Sequence, residues 1–269
     1  MNIDAFFYEN PVFRLNHYIA WKQDTGTKHL TAIHASLQYY LKTGRLINIR
    51  RGLYAVVAPN ATPENMSVDP YLIAAMATDD AVLGYHTALE LHGAAYSTFG
   101  KFIFKTLQKA KAFYFQNQLF QPTSLSKILL NKKEMMGVTI LDRQGIKIRV
   151  TDIEHTFVDA LHRIELCGGL EEVIRSLRSI AALNAQHVIE YTMQLKNKVL
   201  AAKVGFCLSQ RPGVFAVEEM LLDLLLNLKP ESPQYFDTHE KKSCQYDKKW
   251  NLMIPEKIIK IWEGLDHDV

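Results

Sequence analysis

Residues 41–57 read LKTGRLINIRRGLYAVV, and the order of residue types in this stretch decides how the chain begins. Thr43-Gly44 ends a helix, because glycine readily takes the left-handed conformation that closes a last helical turn. Two short β-prone runs follow, residues 46–49 and 53–57, with Arg50, Arg51 and Gly52 between them. A helix that leads into a β-hairpin tipped with cations is how a winged helix-turn-helix holds a duplex. The helix enters a groove while the hairpin's arginines reach phosphates or the neighbouring minor groove. The competing reading is an ordinary helix-strand-strand corner with solvated arginines.

Working outward, residues 28–43 carry Leu30, Ile33, Leu37 and Leu41 at steps of three and four, which places them on one helical stripe facing a core. The opposite stripe is Lys28, Ala32, Ala35, Tyr39 and Lys42, with Thr31 and Ser36 at its margins. Small residues there let a helix backbone approach a groove, and Lys, Thr, Ser and Tyr can meet phosphates or base edges. A plain amphipathic helix with a solvated face would show the same pattern. Residues 12–22 read as a short supporting helix, closed by the turn Asp24 to Thr27.

Charge placement favours the nucleic-acid side of that choice. The net charge is only +3, but Met1 to Val57 holds seven cations against three acids, while the rest of the chain holds 24 against 25. All of the positive excess lies in the first fifth, as in a DNA-binding head on a neutral body.

At 269 residues and 48% hydrophobic content, the chain is long enough for two globular units. The turn-rich stretch at 59–68, PNATPENMSV, marks the boundary, so residues 1–62 are expected as the head and 63–269 as the body. The expected fold class is α+β, a winged helix-turn-helix followed by a larger mixed α/β domain. In the body, Asp69-Pro70 opens a helix as N-cap and first helical residue, and a helix at 85–92 ends at Gly93. KFIFKTL and AFYF, joined by the basic QKAK, read as two strands with a cationic turn, and DRQG at 142–145 as the tip of another hairpin. Thr151 and Glu154 form a capping box for the next helix. Further helices follow at 170–180, 185–195, 198–208 and 217–228, with a strand near 250–254.

No apolar run approaches the roughly 18 to 20 residues that span a bilayer, and the first residues carry acids where a secretory signal carries Lys or Arg, so a cytoplasmic location is expected. Cys167, Cys207 and Cys244 show no C-x-x-C pairing and read as core thiols. His86 and Glu90 share a helical face but His92 does not, which argues for structural hydrogen bonds over a metal site. Asp79, Asp80, Asp152, Glu154 and Asp159 could form a cation site, yet no phosphate-binding loop or nucleophile-elbow motif accompanies them. A metal-dependent nuclease is the leading enzymatic alternative. The body lysines Lys101, Lys105, Lys109, Lys111, Lys127, Lys132 and Lys133 read as a solvated face, as do Lys241, Lys242, Lys248 and Lys249.

GRLINIRRGLYAVV, followed in order by VDPYLIA, AVLGYHTALELHG, KIRVTDIEHTFVDAL, GGLEEVIRSL and KWNLMIPEKI, resembles the AbiEi antitoxin family of bacterial type IV toxin-antitoxin systems, which act in abortive infection. The resemblance runs from about residue 13 to residue 254. It implies a winged-helix head that binds inverted repeats of double-stranded DNA in its own promoter. It also implies a body that counteracts a nucleotidyltransferase-like toxin without requiring a stable complex. Carried onto this chain, Arg45, Arg50 and Arg51 become wing contacts, and Lys28, Thr31, Ala32, Ser36, Tyr39 and Lys42 the helix surface that meets DNA. The family's helix is often rich in arginine, whereas this one has Ala32, Ala35 and Tyr39, which implies more apolar base contacts. YHTALELHG and TDIEHTFVDAL read as scaffold, so no enzymatic activity, cofactor or metal is expected. The alternative within regulation is a stand-alone transcription regulator with a ligand-sensing body.

Overall fold

Phe6, Phe7, Phe13, Tyr18, Ile33, Leu37, Leu46 and Tyr54 are too apolar to leave in water, and in the computed structural model they form one buried cluster around which the first fifth of the chain is wrapped. The structure describes residues 2–125 and 137–264. It is an α+β fold, with twelve α-helices, one 3-10 turn and three sheets among the described residues. Two compact units are discontinuous in sequence. The first comprises Met1–Leu83, Gly100–Leu125 and Ile140–Val150, the second Gly84–Phe99, Ser126–Thr139 and Thr151–Val269.

The first unit opens with α1 (Ile3–Glu9), β1 (Val12–Arg14), α2 (Leu15–Asp24), α3 (Leu30–Lys42), β2 (Leu46–Arg50) and β3 (Leu53–Val56). The strands form an antiparallel sheet in the order β1-β3-β2. This corrects the reading of residues 12–22 as one helix. Val12, Phe13 and Arg14 are all buried and pair with Ala55, Tyr54 and Leu53, so the helix starts only at Leu15. Helix α1 is a seven-residue element too short to show a period, and it contributes Phe6 and Phe7 to the core. Phe6 packs edge-on to Phe13 at 5.3 Å and stacks on Trp21 at 4.7 Å. Tyr18, fully buried, shares a 2.7 Å hydrogen bond with Ser36 and so ties α2 to α3. On α3, Ile33 and Leu37 are buried and Leu41 packs against the core, but Leu30 is 52% exposed. Helical side chains cover the turn before their own Cα, and Leu30 opens the helix, so it has no helical turn to lie on.

The same unit continues with α4 (Pro70–Ala75), β4 (Val82–Leu83), β5 (Lys101–Thr106), β6 (Phe113–Phe115), β7 (Gln118–Ser124), β8 (Val138–Arg143) and β9 (Ile146–Thr151), the last two running into the second unit at one end. Asp69 caps α4 by accepting from Tyr71 N at 2.9 Å, as its position before proline implies. The six strands form a mixed sheet in the order β6-β7-β5-β4-β9-β8. The expected hairpin over 101–115 is corrected. Between β5 and β6 lies β7, parallel to β5 and antiparallel to β6. Gln116 and Asn117, both at positive φ, make the tight β6–β7 turn instead. Strand β7 escapes a pattern reading because QLFQPTS is polar and contains Pro122. β6 reaches only to the level of Phe120, so Pro122 is flanked on one side alone. The hairpin over DRQG is present, its corner formed by Gln144 and Gly145 at positive φ.

The second unit is mainly helical: α5 (His86–Leu91), α6 (Ile153–His162), a 3-10 turn (Ile164–Leu166), α7 (Leu170–Ser179), α8 (Ala185–Gln194), α9 (Lys198–Gln210), α10 (Pro212–Phe215), α11 (Glu219–Leu226) and α12 (Glu256–Glu263). A small sheet of β10 (Gln234–Tyr235), β11 (Cys244–Asp247) and β12 (Leu252–Pro255) has β12 at its centre. The capping box moves by one residue. Asp152, not Thr151, caps α6 by accepting from His155 N at 2.7 Å, because Thr151 still belongs to β9. Glu154 instead accepts from Asn184 N at 2.8 Å. Cys167 and Cys207 are buried thiols, and Cys244 is half-buried.

Gly205 on α9 lies against the indole of Trp250, which is 1% exposed, and a Cβ there would come within 2.1 Å of the ring. Gly205→Ala is therefore expected to destabilise the protein by about 1–3 kcal/mol or more through overpacking, read as a lower midpoint in urea with an unchanged slope.

Candidate nucleic-acid interface

From Thr25 to Pro63 the chain contains no Asp or Glu, although it carries Lys28, Lys42, Arg45, Arg50 and Arg51. Folding turns this run into α3 and the β2–β3 hairpin, so the positive field along α3 meets no carboxylate on its own element. Lys28, Thr31, Ala32, Ala35 and Lys42 are exposed, and Tyr39 is 62% exposed. Ser36 is placed differently. It is half-buried, its hydroxyl donating to Ile33 O at 3.1 Å and sharing the bond with Tyr18, so it faces the helix pair. His34 and Gln38 are also exposed on α3 and were missed, although at 100° per residue they flank Thr31 and Tyr39 on the same side.

The three arginines go three ways. Arg45 pairs with Asp4 at 2.6 Å and lies over the rings of Phe7 and Tyr40 at 5.1 and 5.4 Å. Arg50 is half-buried. Its guanidinium donates to the carbonyl of Ala77 and stacks on Phe113 at 4.3 Å, and burial holds its pKa below the ordinary arginine value. Arg51 is exposed at the two-residue turn, where Gly52 at φ +81° supplies the left-handed corner. The carbonyl of Gly52 accepts from Leu15 N at 2.9 Å, which pins this turn to the start of α2.

The other candidate residues are engaged within their own units. His86, 1% exposed, lies between Glu172 at 3.2 Å and Glu90 at 3.4 Å, while His92 hydrogen-bonds the Thr151 carbonyl at 2.7 Å. Asp80 accepts from Thr106 Oγ1 and Leu107 N, Asp159 from Tyr191 at 3.0 Å, and Asp152 from His155. Among the described residues no group of three or more His, Cys, Asp or Glu is placed to hold a metal ion. Lys105 is buried; Lys127, Lys132 and Lys133 lie outside the described residues. The second unit contains a cleft of about 640 Å³ lined by His162, Lys203, Phe236, Asp237 and His239 among others. Burial lowers the pKa of Lys203, whose ammonium lies 5.5 Å from the Phe236 ring centre. No described helix is long and apolar enough to cross a membrane.

No protein-family model matches the chain, and no curated protein matches it either. Among solved structures, the chain is similar to the crystal structure of the RV2827C protein from Mycobacterium tuberculosis, with a TM-score of 0.61 over 96% of this chain and 92% of that one. At 12% identity, this is a likeness of fold.

Glu172 shows what holds the polar interior of the second unit. It accepts from Ser97 Oγ at 2.6 Å, Ser97 N at 2.9 Å and Ser176 Oγ at 3.3 Å, in addition to its bond with His86. Burial alone would raise its pKa, but these bonds, those from Ser97 first, leave it below the ordinary 4.5. A carboxylate with a depressed folded pKa contributes stability that is complete above its unfolded value and is lost as the pH falls through the folded one. Glu172→Ala is thus expected to cost about 3 kcal/mol at neutral pH, and less as urea melts are repeated below pH 4.5.

Proposed function

We propose that this protein is a cytoplasmic DNA-binding antitoxin of the AbiEi type. It represses its own operon through residues 1–62 and counteracts a cognate nucleotidyltransferase-like toxin through the remainder. One observation carries the DNA half: a run free of carboxylates folds into a helix with an exposed stripe of Lys, Thr and Tyr, beside a hairpin whose turn presents Arg51. In the winged-helix reading, α2 and α3 are the helix-turn-helix pair and β2–β3 is the wing. Helix α3 has thirteen residues, about 20 Å in length, and fits a major groove about 12 Å wide. Ala32 and Ala35 allow its backbone close approach, Lys28 and Lys42 meet phosphates at either end, and the Tyr39 ring suits thymine methyl groups. Because Arg45 and Arg50 are occupied by protein groups, Arg51 bears most of the wing's contact. The antitoxin half rests on the ordered motif resemblance.

Binding of the purified full chain to duplex DNA from its own upstream region should be specific and should weaken steeply with salt, by a log-log slope of about 0.9 per phosphate neutralised. Replacing Lys42 and Arg51 together with alanine should make that slope shallower by about two. An unchanged slope refutes the interface. Co-expression with the product of the neighbouring reading frame should restore growth where that product arrests it, and failure to do so removes the antitoxin half while leaving the DNA half standing.

A second reading, a stand-alone regulator, draws support from the 640 Å³ cleft of the second unit, whose volume falls in the range of small-molecule sites. An adjacent reading frame with no nucleotidyltransferase signature would favour it.

A further inference from the structure

The first unit holds a second cationic feature, which neither α3 nor the hairpin explains. A cleft of about 350 Å³ is lined by Arg14, His17, Thr78, Asp79, Lys147 and Arg149, together with apolar residues of α4 and the sheet. Arg14 is the last residue of β1, and its partner Leu53 directly follows the Arg51-Gly52 turn, so the cleft begins where the hairpin ends. Arg14 is only 9% exposed. One end of its guanidinium meets Asp79 and lies 3.2 Å from His17 Nε2.

The charge around the cleft is unbalanced toward cations. Arg149 donates to the main-chain carbonyl of Asp79, and neither it nor exposed Lys147 has a carboxylate within ion-pair distance among the described residues. Asp79 already accepts from Asn16 at 3.2 Å as well as meeting Arg14, and Asp80 is committed to Thr106 and Leu107. Beyond burial, the positive charge of Arg149 lowers the pKa of Arg14, Asp80 opposes it, and Arg50 lowers it further. An anion with several acceptor oxygens seated in the cleft neutralises this cluster, accepting from Lys147 and Arg149 beside Arg14. Guanidinium forks and an ammonium are the donors that phosphate groups select.

We propose that this cleft is a phosphate-binding site, with Arg14, Arg149 and Lys147 as its donors. The site stands whether or not α3 binds DNA. Its phosphate comes either from a nucleic-acid strand that leaves the hairpin and passes over the sheet, or from a free phosphate compound.

The test uses the full chain and inorganic phosphate, titrated against chloride at constant ionic strength, with Tm as the readout. Wild-type protein should show a Tm that rises with phosphate, as mass action requires for a ligand of the folded state. Lys147→Glu, at an exposed position that does not threaten folding, should shift the phosphate midpoint upward by about tenfold or more. Lys248→Glu, equally exposed and with the same change in net charge but in the second unit, should leave the midpoint unchanged. Absence of a phosphate-specific rise in the wild type, an unchanged midpoint in Lys147→Glu, or an equal loss in Lys248→Glu would each overturn the site. Duplex DNA then separates the two sources. If phosphate competes with the duplex and Lys147→Glu weakens duplex binding in parallel, the site takes a strand; if duplex binding is untouched while phosphate binding is lost, it takes a free phosphate compound. A failure of DNA binding altogether, with the phosphate response intact, refutes the reading of α3 and not this one.

Discussion

Three residues, Val12 to Arg14, determine the geometry of the first unit. By pairing with β3 they complete an antiparallel sheet, bury Phe13 at the centre of the aromatic cluster, and set the point at which the chain turns into α2. The hydrogen bond from Leu15 N to Gly52 O follows directly from that register. So does the position of Arg14, which ends the strand and enters the interior because strand side chains alternate and its neighbours are already packed. The orientation of α3 is a further consequence: with the sheet closed and Tyr18 bonded to Ser36, Ile33 and Leu37 must face the aromatic rings, and the Lys28–Lys42 stripe is left outward.

Much of this was legible in the sequence where a single local rule sufficed. The hydrophobic spacing of α3, the Asp69-Pro70 start of α4 and the DRQG turn each report one element's chemistry and need no partner to be read. What escaped depended on pairing at a distance. Val12–Arg14 looks helical until β3 is placed beside it. Strand β7 looks like a polar loop until β5 and β6 flank it, and β5 and β6 look like a hairpin because the strand between them follows both in sequence. Arg50 and Arg51 are adjacent and chemically identical, and only the fold sends one to Ala77 and Phe113 and leaves the other in solvent. Arg14 gave no signal at all, since its importance comes from Lys147 and Arg149, more than 130 positions away.

The distribution of carboxylates explains why the positive surplus of the first fifth has a direction. Asp4 neutralises Arg45 from α1, and Asp79 meets Arg14 from beyond α4, so two of the early arginines are compensated by acids that lie outside the run from 25 to 63. Lys28, Lys42 and Arg51, all exposed, have no such acid on their own elements. At physiological ionic strength the Debye length is about 8 Å, so the small net charge of the whole chain says little about what a ligand meets at this face. The local arrangement matters more: cations spread along one helix and one turn, with small side chains between them. In the proposed interface such a surface faces a polyanion along its length, whereas a compact cluster such as that around Arg14 concentrates its field on a single group. The two proposed sites therefore differ in the shape of anion they call for, an extended strand along α3 and a single phosphate group at the cleft, where Arg14 of the three-stranded sheet meets Lys147 and Arg149 of the six-stranded one.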